Sequence, residues 1–354
     1  MNSPTLIDLD LVAMMESVFA AHQKPDIAAT DHVAFDGALW KVLDELGLVR
    51  LTGSESHGGS GANWHAVSAL LAAAAGAAVP VPVVEHDLLA GWLLETAELP
   101  MAEGFRTAFL MGESGTSPAV PWARDADFVV PLRYDGSRWL VADVAADRIH
   151  VTPSRNLGGE PRDAVRIEID TVTWSPVPAG TAETFLLRGA LARVLQVCGA
   201  MERIVELCIE HVSTRIQFGR PLSKFQAVQR LVTGVAAETS LARAAADAAV
   251  SRIGRDGWHS PATSFAVAVA KSCTGHAAST VVRNAHQVHG AIGTTYEHQL
   301  HRYTLPVLAW RSEFGSVGQW DQLLTRTAVD AGRDGAWSLI TEGGPVSGVL
   351  DIMA

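Results

Sequence analysis

The chain has 354 residues, of which 48% are apolar, and it carries a formal net charge of −11 at pH 7. A chain of this length can bury a large core, either as one multi-part unit or as two to three subdomains. Nucleic acid is not expected as its partner, because 38 acidic residues outnumber 27 lysines and arginines and nucleic-acid binding favours the opposite balance.

The first part of the chain predicts helices. Segments rich in Ala and Leu occur near residues 5–22, 34–47, 62–78 and 85–97, and a Gly- and Ser-rich stretch interrupts them at 52–61. Prolines break the longest apolar run, so no membrane span is expected. The N-terminus has no basic region followed by an apolar core, and we therefore expect a cytoplasmic protein.

Between about residues 111 and 183 the pattern changes to short runs rich in β-branched residues. Turn-forming dipeptides separate these runs, which predicts a small antiparallel β domain of about five or six strands. The strand candidates are residues 127–132, 139–142, 148–152 and 164–169.

From Glu183 onward, apolar residues recur at steps of three and four, which predicts a helix of about 28 residues. Two further long helices are predicted near 223–255 and 261–288, and a fourth helical element near 298–312. Long antiparallel helices with short connections form a four-helix bundle. The expected fold is therefore mainly α, and its expected domains are an N-terminal helical domain (1–110), a middle β domain (111–183) and a C-terminal four-helix bundle (184–354).

The connection between the first two long bundle helices is the most informative motif, Arg-Ile-Gln-Phe-Gly-Arg-Pro-Leu at 215–222. The guanidinium of Arg215 is always charged and presents a planar fork of donors that fits phosphate oxygens. Phe218 offers an apolar ring face beside it. The motif predicts an anion site beside a flat ring, whereas an isolated arginine here would only favour the negative end of a helix dipole.

A second motif, His-Gln-Val-His-Gly-Ala-Ile-Gly at 286–293, ends the third long helix. Gly290 and Gly293 allow the backbone to approach a ligand closely, although a glycine pair after a helix is also a common C-cap. His286 and His289 have no third ligand at a metal-binding spacing, so no metal site is predicted.

Together these motifs resemble the acyl-CoA dehydrogenase family. The string 215–229 is similar to the family's Arg-x-x-Phe-Gly turn, residues 287–303 to the segment after its third bundle helix, and residues 53–61 to its Gly-Gly-x-Gly loop. The resemblance implies FAD as the cofactor, bound across a subunit interface. The residues it assigns to the cofactor are Arg215, Gln217, Phe218, Phe225, Gln226, Gln287, Val288, His289, Gly290 and Ala291.

The reaction that the resemblance implies is α,β-dehydrogenation of an acyl-CoA, in which a carboxylate removes the α proton and the β hydride moves to the flavin. The implied partners are the acyl-CoA substrate and an electron acceptor of the electron-transfer flavoprotein type. Glu313 is the candidate base, but it matches only after a two-residue slip, because Arg311 and Gly189 stand at the two usual positions. Otherwise Glu313 would be a solvated carboxylate at a helix end.

The middle domain lacks the family's recognisable flavin-binding strands. This absence, together with the two-residue slip needed to align Glu313 with the family's base, favours a subunit of a heteromeric (α2β2) enzyme that acts on a bulky, steroid-derived acyl-CoA. A second acyl-CoA dehydrogenase-like subunit would then complete the flavin site. Two alternatives stay open, namely a self-sufficient homo-oligomeric dehydrogenase with Glu313 as its base, and a non-catalytic assembly subunit.

Overall fold

The computed structural model describes residues 8–22 and 33–353. The chain divides into two compact units. The first, here called the bundle unit, comprises Met1–Lys24, Ser68–Val79 and Ala190–Ala354, and the second, the β-containing unit, comprises Pro25–Val67 and Pro80–Gly189. The three domain boundaries expected from the sequence stay a prediction.

Nine α-helices lie in the described residues. Their bounds are α1 Leu9–Ala21, α2 Gly37–Glu45, α3 Trp64–Gly76, α4 Trp92–Thr96, α5 Thr181–Thr214, α6 Gln226–Asp256, α7 Pro261–His289, α8 His301–Trp310 and α9 Val317–Glu342. A π-helix, Val84–Gly91, precedes α4 directly. The mainly helical fold with a small sheet region confirms the fold class expected from the sequence.

Helix α5 has 34 residues, more than the periodicity predicts. It is long and apolar enough to cross a membrane by length and composition alone, but its most apolar window is 100% buried. A helix that is apolar on every side and covered by protein is a core helix.

Helices α6 and α7 follow the predicted bounds closely, whereas the fourth long helix lies elsewhere than expected. The region near 298–312 forms only the short α8, which contains Pro306. The fourth long helix is α9, which begins with a capping box between Ser316 and Gln319. Its apolar pattern is interrupted by glycines, and at Gly332 the backbone leaves helical geometry with φ of +66°, so periodicity alone did not reveal it.

The β-containing unit has eight strands between residues 106 and 176, more than the five or six expected. They are β1 Arg106–Leu110, β2 Thr116–Pro121, β3 Phe128–Tyr134, β4 Trp139–Val141, β5 Val144–Ala145, β6 Ile149–Thr152, β7 Arg162–Ile167 and β8 Ser175–Pro176. One sheet has the order β1-β3-β4-β8 with β5 on β3, and the other has the order β2-β7-β6. The pairing of β1 with β3 is parallel, which corrects the expectation of a purely antiparallel domain, while the other pairs are antiparallel.

Two helical glycines give a matched test of the packing in the bundle unit. A Cβ on Gly199 in α5 would lie 2.6 Å from Ala72 Cα in α3, whereas a Cβ on Gly254 in α6 would meet nothing within 4 Å. Gly199→Ala is therefore expected to lower the free energy of unfolding by about 1–3 kcal/mol through overpacking. Gly254→Ala is expected to raise it by about 0.5–1 kcal/mol through helix propensity.

Chemical denaturation of the two variants and the parent chain measures both changes. Opposite signs are expected, and a neutral or stabilising Gly199→Ala would contradict the close approach of α3 and α5.

Candidate functional site

The turn that follows α5 presents Arg215 to solvent. Residues 216–217 and 220–221 form a two-stranded hairpin, β9 and β10, in which Gln217 pairs with Arg220. Phe218 and Gly219 at its tip have φ of +50° and +77°, a conformation that glycine adopts readily and phenylalanine rarely. The Leu222 N–H donates to the Arg215 carbonyl at 2.9 Å, which closes the turn and holds Arg215 at the C-terminal end of α5.

The glycine loop after α7 is fixed by its own close packing. Gly290 ends the helix with φ of +65°, which favours glycine. A Cβ on Gly293 would lie 2.7 Å from His289 Cβ, so a larger residue there would displace the end of α7. The loop continues as a 3₁₀ helix, Gly290–Thr294.

The arginine turn and the glycine loop meet at one cavity of about 740 Å³ in the bundle unit. Its volume lies in the range of cofactor and ligand sites. The lining residues are His211, Thr214, Arg215, Gln217, Leu222, Val228, Gln287, Val288, His289, Gly290, Ala291, Ile292 and His298. Seven of the ten cofactor residues predicted from the sequence are therefore brought together.

The other three predicted cofactor residues lie outside the cavity lining. Phe218 is 89% exposed, and its ring meets that of Phe225 edge-on, with centroids 6.1 Å apart. Gln226 is exposed at the start of α6. Because these side chains do not line the cavity of this chain, their predicted contact with the cofactor would have to be made with a flavin held by a second subunit.

The charges around the cavity suit an anionic ligand. Arg215 is the fixed cation of the lining, and the lining contains no carboxylate. A guanidinium in such a setting can form two parallel hydrogen bonds to a phosphate. The structure thus supports the anion site that the turn motif predicts.

Three histidines converge at the cavity, which the sequence did not reveal. The ring centroid of His289 lies 4.5 Å from that of His211 and 4.6 Å from that of His298. Burial lowers the pKa of His289 to about 4. The hydrogen bond to the Ala285 carbonyl acts in the opposite direction and raises the pKa, whereas the charges of the neighbouring histidines lower it further. Burial also lowers the pKa values of His211 and His298. Sequence spacing paired His289 with His286, because it cannot show that the ends of α5 and α7 meet.

Glu313 is held by an ion pair. Its Oε2 accepts a hydrogen bond from Arg193 Nε at 2.7 Å, and its side chain is only 19% exposed. Arg193 is 2% exposed and also donates to the Gln196 side chain. The expectation of a solvated carboxylate at a helix end is therefore wrong, because a buried guanidinium needs a counter-ion. The catalytic role of Glu313 stays a prediction.

Lys271 completes this buried polar group. Its Nζ donates to the backbone carbonyls of Trp310 and Glu313 at 3.2 and 2.7 Å. Burial lowers the pKa of Lys271 to about 7, although the charge of Glu313 raises it and that of Arg193 lowers it further. Lys271 thus fixes the backbone of the segment that carries Glu313.

A second buried polar cluster lies in the β-containing unit. Asp87, in the π-helix, accepts hydrogen bonds from the backbone N–H and hydroxyl of Thr52 at 2.9 and 3.1 Å. Burial raises the pKa of Asp87 to about 6. The guanidinium of Arg188 lies 4.7 Å from the Trp92 ring and donates to the Leu88 carbonyl. The sequence did not reveal this cluster, because the π-helix places Asp87 inward within an apolar stretch.

Solved structures with the same fold share nearly the whole chain. One is the ChsE4-ChsE5 complex from Mycobacterium tuberculosis, with a TM-score of 0.80 at 23% identity, covering 93% of this chain and 99% of that one. Another is the Tcur3481-Tcur3483 steroid ACAD G363A variant, with a TM-score of 0.79 at 20% identity, covering 91% and 98%. These similarities establish the fold of the chain.

The sequence comparisons match the C-terminal part of the chain to a known domain and most of the chain to named relatives. Residues 179–317 match the model of the acyl-CoA dehydrogenase C-terminal domain. "Acyl-CoA dehydrogenase IpdE2" of Mycobacterium tuberculosis is 29% identical over 301 residues, which cover 81% of this chain and 86% of that protein. The matched C-terminal domain and the relatives over most of the chain support an oxidoreductase of the acyl-CoA dehydrogenase type, as the motifs indicated.

The buried lysine predicts a specific dependence of stability on pH. Between pH 7 and pH 10.5 the unfolded chain keeps the Lys271 proton that the folded chain has lost, so this residue makes the unfolding free energy rise with pH. The slope is at most about 1.4 kcal/mol per pH unit. In Lys271→Met this contribution disappears.

Urea unfolding of the parent chain and Lys271→Met at several pH values from 7 to 10 tests this. The difference between the two unfolding free energies is expected to change steadily with pH. A constant difference would mean that Lys271 keeps its proton when buried.

Proposed function

We propose that this chain is one subunit of a heteromeric, FAD-dependent acyl-CoA dehydrogenase that acts on a bulky, steroid-derived acyl-CoA. In this proposal the chain supplies one side of a flavin site, and a second acyl-CoA dehydrogenase-like subunit supplies the catalytic base. The observation that carries the proposal is the ion pair of Glu313 with Arg193, at 2.7 Å. Neither residue lines the cofactor cavity, and that lining has no carboxylate.

The cavity fits the diphosphate of FAD in charge and size. Arg215 would bind phosphate oxygens through its guanidinium, and Gln217 and Gln287 can each donate and accept hydrogen bonds beside it. Gly290 leaves open space in front of the backbone, so a ligand can approach the loop closely. When bound, FAD supplies the acceptor for the hydride that leaves the β carbon of the substrate.

The base is assigned to the partner subunit for an electrostatic reason. A general base must present a carboxylate within hydrogen-bond reach of the substrate proton. The Glu313 carboxylate is already engaged by Arg193, which is itself buried. Withdrawing the carboxylate would leave the guanidinium buried without this counter-ion, a change that typically costs about 3–5 kcal/mol. Proton abstraction by Glu313 would therefore work against the stability of the bundle unit.

The names of the similar proteins support the substrate class and the assembly. One of the solved structures named above is described as a complex, ChsE4-ChsE5, and the other, which carries the two names Tcur3481 and Tcur3483, is described as a steroid ACAD. An electron acceptor of the electron-transfer flavoprotein type would re-oxidise the flavin, as the family resemblance implies.

Arg215 gives a test of cofactor binding with a matched control in the same hairpin. Arg215→Ala is expected to weaken FAD binding by about 10- to 100-fold, because a charged hydrogen bond contributes about 1.5–3 kcal/mol. Arg220→Ala is the control, since the Arg220 guanidinium lies over the Phe225 ring at 4.2 Å and Arg220 does not line the cavity.

Visible absorbance of the purified chain, alone and co-expressed with a second acyl-CoA dehydrogenase-like chain, measures flavin occupancy. The expected result is flavin only after co-expression, retained in Arg220→Ala and lost in Arg215→Ala. Flavin in the lone chain would replace the proposal with a homo-oligomeric enzyme. Unchanged flavin and activity in Arg215→Ala would favour the non-catalytic assembly subunit.

Glu313 gives a second test that separates a base from a structural counter-ion. Glu313→Gln is expected to lower the unfolding free energy by about 1–3 kcal/mol. It should reduce kcat of the co-expressed enzyme far less than the 10²–10⁴-fold loss typical of removing a general base. Glu206→Gln is the control, because Glu206 is 63% exposed in its pair with Arg203 and such a surface pair contributes at most about 1 kcal/mol.

The assay uses the CoA thioester of a steroid side chain with an artificial electron acceptor, alongside urea unfolding of each variant. A loss of more than about 100-fold in kcat without a change in stability would make Glu313 the base and reject the assignment to the partner.

A further inference from the structure

The histidine cluster at the cavity is built by three separate segments. His211 lies in the last turn of α5, His289 is the last residue of α7, and His298 precedes α8. Each ring offers one nitrogen, and these three atoms all lie within 4.8 Å of one another. All three residues line the cavity, so a ligand that reaches the cavity reaches the cluster.

His289 has the strongest requirement for a ligand. Its Nδ1 hydrogen-bonds the Ala285 carbonyl at 2.8 Å; since a carbonyl can only accept, Nδ1 carries the proton and Nε2 has the free lone pair. The ring is 5% exposed, and its buried Nε2 has no hydrogen-bond partner in the described part of the chain. A buried acceptor without a partner is rare and calls for an explanation, such as an ion.

We infer that His211, His289 and His298 bind one divalent transition-metal ion of the Zn²⁺ type, with an open coordination position facing the cavity. A backbone carbonyl that accepts from the far nitrogen of His289 is the support commonly found behind metal-binding histidines. Three histidine ligands and one open position form a coordination set typical of catalytic zinc sites.

The distances require a small rearrangement of the side chains. With Zn–N bonds of about 2.0–2.1 Å, two nitrogens of a tetrahedral site lie roughly 3.3 Å apart, against separations of up to 4.8 Å here. His298 Nδ1 accepts the Leu300 N–H at 3.1 Å, so the ring has to give up that hydrogen bond to coordinate the ion. His211 and His298 are both half-buried, so metal binding requires rotation of these two rings, while the buried ring of His289 stays in place.

The surroundings select the class of ion. Imidazole nitrogens suit Zn²⁺, Cu²⁺, Ni²⁺ and Co²⁺, whereas Mg²⁺ and Ca²⁺ prefer oxygen ligands. The cluster stands at the C-terminal ends of α5 and α7, where the helix dipoles favour a cation. Arg215 opposes a second positive charge, and its charge acts on His211. An anionic ligand in the open coordination position, such as hydroxide or a phosphate oxygen, would compensate for the repulsion between Arg215 and the metal ion.

The inference goes beyond the proposed function and does not depend on it. Metal binding needs only the three imidazoles of this chain, whereas the flavin proposal depends on Arg215 and a second subunit. The two can therefore succeed or fail separately.

The test uses the full-length chain without a histidine tag, stripped with a chelator and dialysed against Zn²⁺, Co²⁺ or Mg²⁺. We expect one equivalent of Zn²⁺ or Co²⁺ per chain, a visible Co²⁺ spectrum characteristic of nitrogen ligands, and no comparable Mg²⁺ binding. His289→Ala and His211→Ala should weaken Zn²⁺ binding by more than about 100-fold, since even the loss of a supporting residue behind a ligand costs 10- to 100-fold.

His286→Ala is the matched control, because His286 lies on the same helix, outside the cluster, with its Nε2 3.2 Å from Thr304 Oγ1. It should keep the parent affinity. The absence of stoichiometric binding, or an equal loss in His286→Ala and His289→Ala, would overturn the inference. The Co²⁺ spectrum of the parent chain reports the ligands even if a variant fails to fold. Zinc retained by a chain that binds no flavin even after co-expression would support the inference and count only against the proposed function.

Discussion

Burial of helix α5 is the constraint on which the rest of the structure depends. Its most apolar window is 100% buried, so the apolar side chains of that window stabilise the fold only when protein covers it on every side. Within the bundle unit this requires close approaches, such as that of Gly199 to the backbone of Ala72. The same burial removes water from Arg193, which then needs a partner inside the protein.

That requirement accounts for Glu313. A charge in the interior is tolerated when a counter-charge and hydrogen bonds satisfy it, and Arg193 has Glu313 and Gln196 as such partners. Lys271 holds the backbone of the same segment through two carbonyls. A carboxylate fixed in this way stabilises the bundle unit well and is poorly suited to exchange protons with a substrate. Structural need alone therefore accounts for a glutamate near the expected catalytic position, and its catalytic role stays a prediction.

The sequence predicted the features that depend on local patterns. The long helices α5, α6 and α7 followed from periodicity, and the arginine turn and glycine loop followed from residue types that fit phosphate. What it could not predict depends on contacts between distant segments. Glycines interrupt the apolar pattern of α9, so periodicity did not predict it. The parallel pairing of β1 with β3 has no sequence signature within either strand. The contact of His211 with His289 joins residues that lie 78 positions apart. Equally, the sequence indicated a solvated Glu313 because its partner, Arg193, lies 120 residues away in α5.

The cavity combines two opposing electrostatic effects, and Arg215 decides between them. Because α5 and α7 both end there, their helix dipoles make the site favourable for cations. An anionic cofactor can bind at such a place only if a fixed positive charge outweighs these helix ends. Histidine cannot supply that charge here, since burial holds the pKa of His289 at about 4. A guanidinium stays charged at any physiological pH, so the arginine turn converts a cation-favouring end of the bundle into one that can also accept a phosphate.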